Sequence, residues 1–184
     1  MIYCDTSTLL NNIKRHNDAK SVKELEALEK LLALHAAGKI RMVRSREALR
    51  ELQKPPRKGP LQPERVARLR ADYDDLNQIA LDEKVLGFDS QFDQRGEVST
   101  PLVQDVQDAP LRDELVGGGL DRSDAAHIAQ AVANKCQVFL TRDEKSIIKH
   151  REWLERRLAP LKIRRPSELI ADATIVTAID RITT

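Results

Sequence analysis

Asp5 stands directly after the apolar run Met1–Cys4, and Asp143 just after Val138-Phe139-Leu140-Thr141. Each has hydroxyls beside it, Thr6 and Ser7 in one case and Thr141 in the other. A lone acid at a strand end often only caps the helix that follows. Two at equivalent ends, with further carboxylates between them in the chain, point to a shared site. Asp124 falls in the first turn of the Ala-rich stretch Ser123–Asn134, where the N-terminal end of a helix favours an ionised carboxylate. On a helix running from Ser45 to Lys54, Ala48, Leu49 and Leu52 form the buried stripe. Glu51 lies about 110° from its centre and Glu47 about 150°, at 100° per residue. Glu51 is thus placed at the margin of a cleft and Glu47 in solvent. Four carboxylates in one place repel one another unless some are protonated or a cation neutralises them. Mg²⁺ prefers oxygen ligands and takes few carboxylates while keeping several waters. Such a cluster suits metal-assisted phosphodiester cleavage, in which the ion polarises the phosphate, activates water and stabilises the leaving oxygen.

The elements that must position these residues can be read from periodicity. Met1–Cys4, Lys39–Val43, Gln137–Leu140 and Leu161–Ile163 read as short buried strands. Ser21-Val22-Lys23-Glu24 has the form of a capping box, followed by Leu25, Leu28 and Leu31 at helical spacing and closed by Gly38. From Pro63, Val66, Leu69, Tyr73, Leu76 and Ile79 mark an amphipathic helix to about Leu86. Residues 87–119 contain Pro101, Pro110 and Gly117-Gly118-Gly119 and read as an insertion with one short helix. Ser123 is expected to cap a helix to Asn134 that buries Ile128, Ala129 and Val132 and leaves His127, Gln130 and Asn134 on the polar side. Glu144–Leu158 is expected to be helical. Strands alternating with helices imply a parallel sheet covered on both faces.

Composition excludes several classes. The 184-residue chain has no apolar run long enough to span a membrane and no basic region leading into a long apolar stretch. A soluble cytoplasmic protein is expected. Cys4 and Cys136 sit in apolar runs and are expected as buried thiols; with the four His scattered, zinc is not expected. The net charge of +2 hides segregation: residues 39–70 carry 11 Lys/Arg against 3 acids, and residues 71–121 carry 13 acids against 3 basic residues. Residues 142–165 return to 9 basic against 4 acidic. Two basic blocks permit a phosphate-binding surface if folding unites them. Six aromatic residues do not support a stacking platform for single strands.

At IYCDTSTLL, VRSREALREL, DRSDAAHIAQAVANKCQVFLTRDEKSI and KIRRPSELI the sequence resembles the PIN-domain family of metal-dependent nucleases, which includes toxins of bacterial toxin–antitoxin pairs. The third segment is the specific one: an acid opening an Ala-rich helix, a strand, then Thr-x-Asp. The resemblance implies a three-layer α/β/α sandwich around a parallel sheet of about five strands. It implies an endoribonuclease using Mg²⁺ or Mn²⁺, with water as nucleophile. Asp5, Asp124 and Asp143 would be metal ligands. Glu51, six residues after the Ser that ends strand two, would bind through water or orient the attacking water. Thr6 and Thr141 would hold water or a phosphate oxygen. Arg46, Arg142 and Lys145 are candidates for RNA backbone contacts, set against the plainer reading of solvated surface charge. His127 is not a ligand in the family and reads as a residue of the polar face or one behind the site, rather than as a general base.

A single domain is expected over residues 1–170, with the basic loop 55–63 and the insertion 87–119 inside it and a C-terminal extension over 171–184. If the chain is a toxin, a protein antitoxin would cover the acidic cleft with an Arg or Lys. Helices 22–34 and 64–86 are candidates for the docking groove or for a homodimer surface, though such stripes are more often plain core. The alternative is a catalytically silent module of the same fold that binds RNA or a protein. A haloacid-dehalogenase-like phosphatase would need an Asp where Ser7 stands, and a receiver would need a Lys where Arg164 and Arg165 stand.

Overall fold

The computed structural model describes residues 1–11, 19–45, 76–78 and 109–172. Four three-residue strands form an all-parallel sheet: β1 (Ile2–Cys4), β2 (Met42–Arg44), β4 (Val138–Leu140) and β5 (Lys162–Arg164). The two-residue ladder β3 (Asn77–Gln78) extends it beside β2, and the order is β3-β2-β1-β4-β5. The helices among the described residues are α1 (Thr6–Asn11), α2 (Ala19–Ala36), α3 (Ala109–Gly117), α4 (Arg122–Ala133), α5 (Arg151–Arg157) and α6 (Pro166–Ala171), with a 3₁₀ turn at Ile148–His150. None of them is long and apolar enough to cross a membrane.

Alternation along the strands divides the core in two. Val43, Tyr3, Phe139 and Ile163 lie in one row across four strands and face Leu115, Ile128 and Leu154 of α3, α4 and α5. Ile2, Cys4, Met42, Val138 and Leu140 face the other way, against Leu28 and Leu31 of α2 and Leu169 of α6. With both faces covered, the strands carry apolar residues in succession, as parallel strands do. Both cysteines are buried free thiols, and burial pushes Cys136 up to about 11.

Several elements depart from the sequence pattern. Asn77–Gln78 lies inside the expected helix 63–86, yet pairs parallel with Val43 and Arg44. Leu76 is buried in the α2 face, so pairing at the sheet edge outweighs the helical periodicity around it. Ser21 is not a cap, because α2 begins at Ala19. Glu24 instead accepts from the backbone N–H and Oγ of Ser167, at 2.9 and 2.5 Å, clasping the start of α6. Gly38 does close the helix turn: its φ of 71° is left-handed, and Gly38 and Lys39 donate to His35 and Leu34 carbonyls. The expected helix 144–158 becomes a turn, a 3₁₀ turn and the short α5. In the insertion, the described part supplies α3. The loop 55–63 and the segment 173–184 lie outside the described residues.

Candidate functional site

β1 and β4 are neighbours at the centre of the sheet, and strand order reverses between them: β2 and β3 lie to one side, β5 to the other. The crevice beyond the carboxyl ends of such a strand pair is where open parallel sheets bind ligands. Asp5 and Thr141 are the first residues past those ends. The backbone holds them there, with the Asp5 N–H donating to the Leu140 carbonyl at 3.0 Å and the Thr141 N–H to Arg164 at 3.0 Å. Thr8 Oγ1 donates to the same Leu140 carbonyl at 3.1 Å, fixing the first turn of α1 against β4.

Asp5 is 3% exposed. Its Oδ2 accepts from Ser7 Oγ at 2.5 Å and from Thr141 Oγ1 at 2.8 Å. Thr141 Oγ1 in turn accepts the Asp143 N–H at 3.1 Å, so one hydroxyl sets the spacing between the two strand-end acids. Asp143 Oδ1 accepts the N–H groups of Lys145 and Ser146, at 2.9 and 2.8 Å, which closes the turn after β4. Ser146 Oγ then donates to Asp124 Oδ2. Three aspartates from three places in the chain are therefore joined through the hydroxyls of Thr141 and Ser146. Asp121, not Ser123, caps α4: its carboxylate accepts from the N–H groups of Ser123 and Asp124.

Burial is the largest cause that raises Asp124, which is pushed up to about 7; the charges of Asp121, Asp5 and Asp143 add to it, against the Ser146 hydrogen bond. The folded state thus holds a proton that the unfolded chain releases near the ordinary value of 3.8. Its stabilising contribution is complete below 3.8 and is lost as pH rises to about 7. In metal-free protein, urea midpoints are expected to fall across that window through this group and then level off. A wild-type profile matched by Asp124→Asn would contradict this assignment.

Behind the acids lies a second network. Tyr3 Oη is 2.7 Å from Ser45 Oγ and 2.6 Å from His127 Nδ1, and His127 Nε2 is 3.3 Å from Thr6 Oγ1. His127 is 0% exposed and Gln130 2%, which corrects the expected polar face of this helix. α4 is covered by the sheet on one side and α3 on another, so no open polar face is left between Asp124 and Ala131. His127 thereby ties the helix that carries Asp124 to the ends of β1 and β2. Tyr3→Phe takes away the hydroxyl that His127 and Ser45 share. It is expected to cost about 1–3 kcal/mol of stability, read from urea unfolding; a change under about 0.5 kcal/mol, typical of surface sites, would contradict it.

Of the residues singled out in the sequence, Asp5, Thr141, Asp143 and Asp124 come together. Thr6 is buried and turned to His127. Arg142 reaches the site through its backbone N–H, 3.5 Å from Ser7 Oγ, and Lys145 is exposed beside Asp143. Glu51 and Arg46 lie outside the described residues. The sequence marks Ser7 only as a neighbouring hydroxyl, and its motifs single out neither Ser146 nor Asp121. Asp143-x-x-Ser146 has the spacing of a side-chain cap, which could have revealed Ser146. Among the described residues, no three His, Cys, Asp or Glu side chains form a group that could hold a metal ion. The donors fit a hard cation in kind: all are oxygens, and burial, with the neighbouring acids adding to it, raises Asp124 in the absence of a cation. Comparison with protein-family models, with curated proteins and with solved structures finds no match to this chain.

Proposed function

We propose that this chain is a divalent-cation-dependent endoribonuclease with a PIN-like five-stranded architecture, acting on RNA in the cytoplasm. The observation that carries the reading is the gathering of Asp5, Asp124 and Asp143 at the switch point between β1 and β4, with Asp124 raised by burial and by the other acids. A bound Mg²⁺ or Mn²⁺ would neutralise phosphate charge and make water nucleophilic. Mg²⁺ takes one or two carboxylates and keeps waters, so three converging protein ligands are not required. Asp5 and Asp124 are the residues to hold it, with Asp143 beside them. Ser7 and Thr141 fix the Asp5 carboxylate; Ser146 and the Asp121 cap fix Asp124. Glu51 would enter from the segment after β2, whose end adjoins that of β1, and would orient the water. Thr6 supports the site through His127. Arg142, Lys145 and Arg46 would meet the phosphates. A protein antitoxin and a homodimer are partners this role allows.

One observation favours the second reading, a silent RNA- or protein-binding module: Asp5, Asp124 and Asp143 are already engaged by hydroxyls or backbone N–H groups. Cleavage of a mixed pool of single-stranded and structured RNAs decides between them. Cutting with Mn²⁺ that disappears with EDTA supports the nuclease. Cutting that persists in EDTA overturns the cation-dependent reading. An intact pool together with no Mn²⁺ binding by wild type makes the chain a silent module.

A further inference from the structure

Next to the Asp143 turn, the 3₁₀ turn, the start of α5 and Arg165 enclose an open cavity of about 400 Å³. Its charges divide into two kinds. Arg151 places both terminal nitrogens on Glu168, at 3.1 and 2.7 Å, and Arg165 is shared between Glu144 and Glu168. Those two guanidinium groups are compensated and serve as rigid wall. Lys149 and Arg156 are exposed and make no ion pair among the described residues; Arg156 Nε donates only to the Glu152 carbonyl, at 3.3 Å. Glu152 is the one acid among the described residues of the lining. Two cations with spare donors therefore stand over a wall that is already charge-balanced.

The remaining side is aromatic. Trp153 and His150 meet edge to face, centroids 6.5 Å apart at 75°. The indole lies against the backbone of Gly118, where a Cβ would come within 2.3 Å of the ring. Glycine there allows the close approach and fixes the ring. A fixed indole beside free cations, in a cavity of this volume, matches a nucleotide: phosphate for the cations, base for the ring. The cavity is also joined to the carboxylate site. The Ile148 N–H donates to the Asp143 carbonyl at 2.8 Å, and Arg165 is clasped by Glu144.

We propose that this cavity holds one nucleotide of a single-stranded RNA, its phosphate on Lys149 and Arg156 and its base against Trp153, so that the same strand continues past Asp143. The last clause rests on the ribonuclease reading; the binding itself does not. Trp153 is the only tryptophan in the chain, so its emission reports this cavity alone. The test titrates the full chain in EDTA with a fluorescein-labelled decamer of single-stranded RNA, following indole emission and label anisotropy together. The expected result is a saturable change in Trp153 emission that parallels anisotropy. The Lys149→Glu/Arg156→Glu variant, whose changes are on exposed side chains, should bind at least about 10-fold more weakly. Its log Kd against log salt slope should fall by about 1.4, the share of two single-strand phosphate contacts. Binding by anisotropy with unchanged Trp153 emission, equal affinity in the folded double variant, or no RNA binding at all overturns the proposal. Cleavage in Mn²⁺ is scored separately. RNA that shifts Trp153 emission but is never cut sinks the nuclease and keeps the cavity, whereas RNA that is cut without that shift does the reverse.

Discussion

Asp124→Asn is expected to lower RNA cleavage by on the order of 10²–10³-fold, the loss typical of one electrostatic group in a preorganised site. The same change should raise the melting temperature of the metal-free protein at pH 8. The two effects have one cause. Asp124 is 9% exposed and shares its surroundings with Asp121, Asp5 and Asp143, so ionising it in the folded state is unfavourable. An amide keeps an oxygen for Ser146 and removes the charge. The gain should be on the order of 1–2 kcal/mol after solvent screening, or about 3–6 °C for a domain of this size. Activity that falls while stability rises separates a chemical role from a structural one. Unaltered cleavage in the folded variant would remove Asp124 from the site and with it the proposed mechanism. A lowered melting temperature at pH 8 would contradict the charge crowding.

Phe139→Ala is expected to destabilise the fold by about 3–5 kcal/mol, in the range for burying an aromatic and then leaving its cavity. Phe139 is fully buried in the row Val43-Tyr3-Phe139-Ile163. Its ring stacks on Tyr3, with centroids 5.2 Å apart and planes at 10°. The hole would open beneath α4, so His127 and Asp124 would lose support together. Phe139→Leu, which keeps most of the volume, should cost far less. Guanidinium unfolding of both variants gives the comparison. An alanine cost below about 1 kcal/mol would mean that the row is not the centre of the core.

How much of this could be read beforehand followed from the type of burial. Strands covered on both faces write themselves as apolar runs, so β1 and β4, and with them Asp5 and Asp143, were legible within a residue or so. Helices are harder because a wheel assumes one wet side. α4 has none along Asp124–Ala131, so the stripe that the wheel sets opposite the apolar one, with His127 and Gln130 on it, is buried too. The local pattern puts Glu24 in a capping box, but its partner is Ser167 in α6, which no local rule anticipates. The Trp153 cavity depends on Gly118, in the turn that follows α3, and has no sequence signature.

The parallel pairing of β1 with β4 also bears on how the molecule is made. Residues 2–4 must wait for residues 138–140 before the middle of the sheet can close. Contacts so distant in sequence slow folding. Until then Ile2, Tyr3 and Cys4 offer a bare apolar edge of the kind that recruits other chains. Any fragment that stops after α4 keeps that edge permanently. Truncations intended to isolate the acidic site should therefore retain residues through β5 and α6, and shorter ones should collect as aggregates.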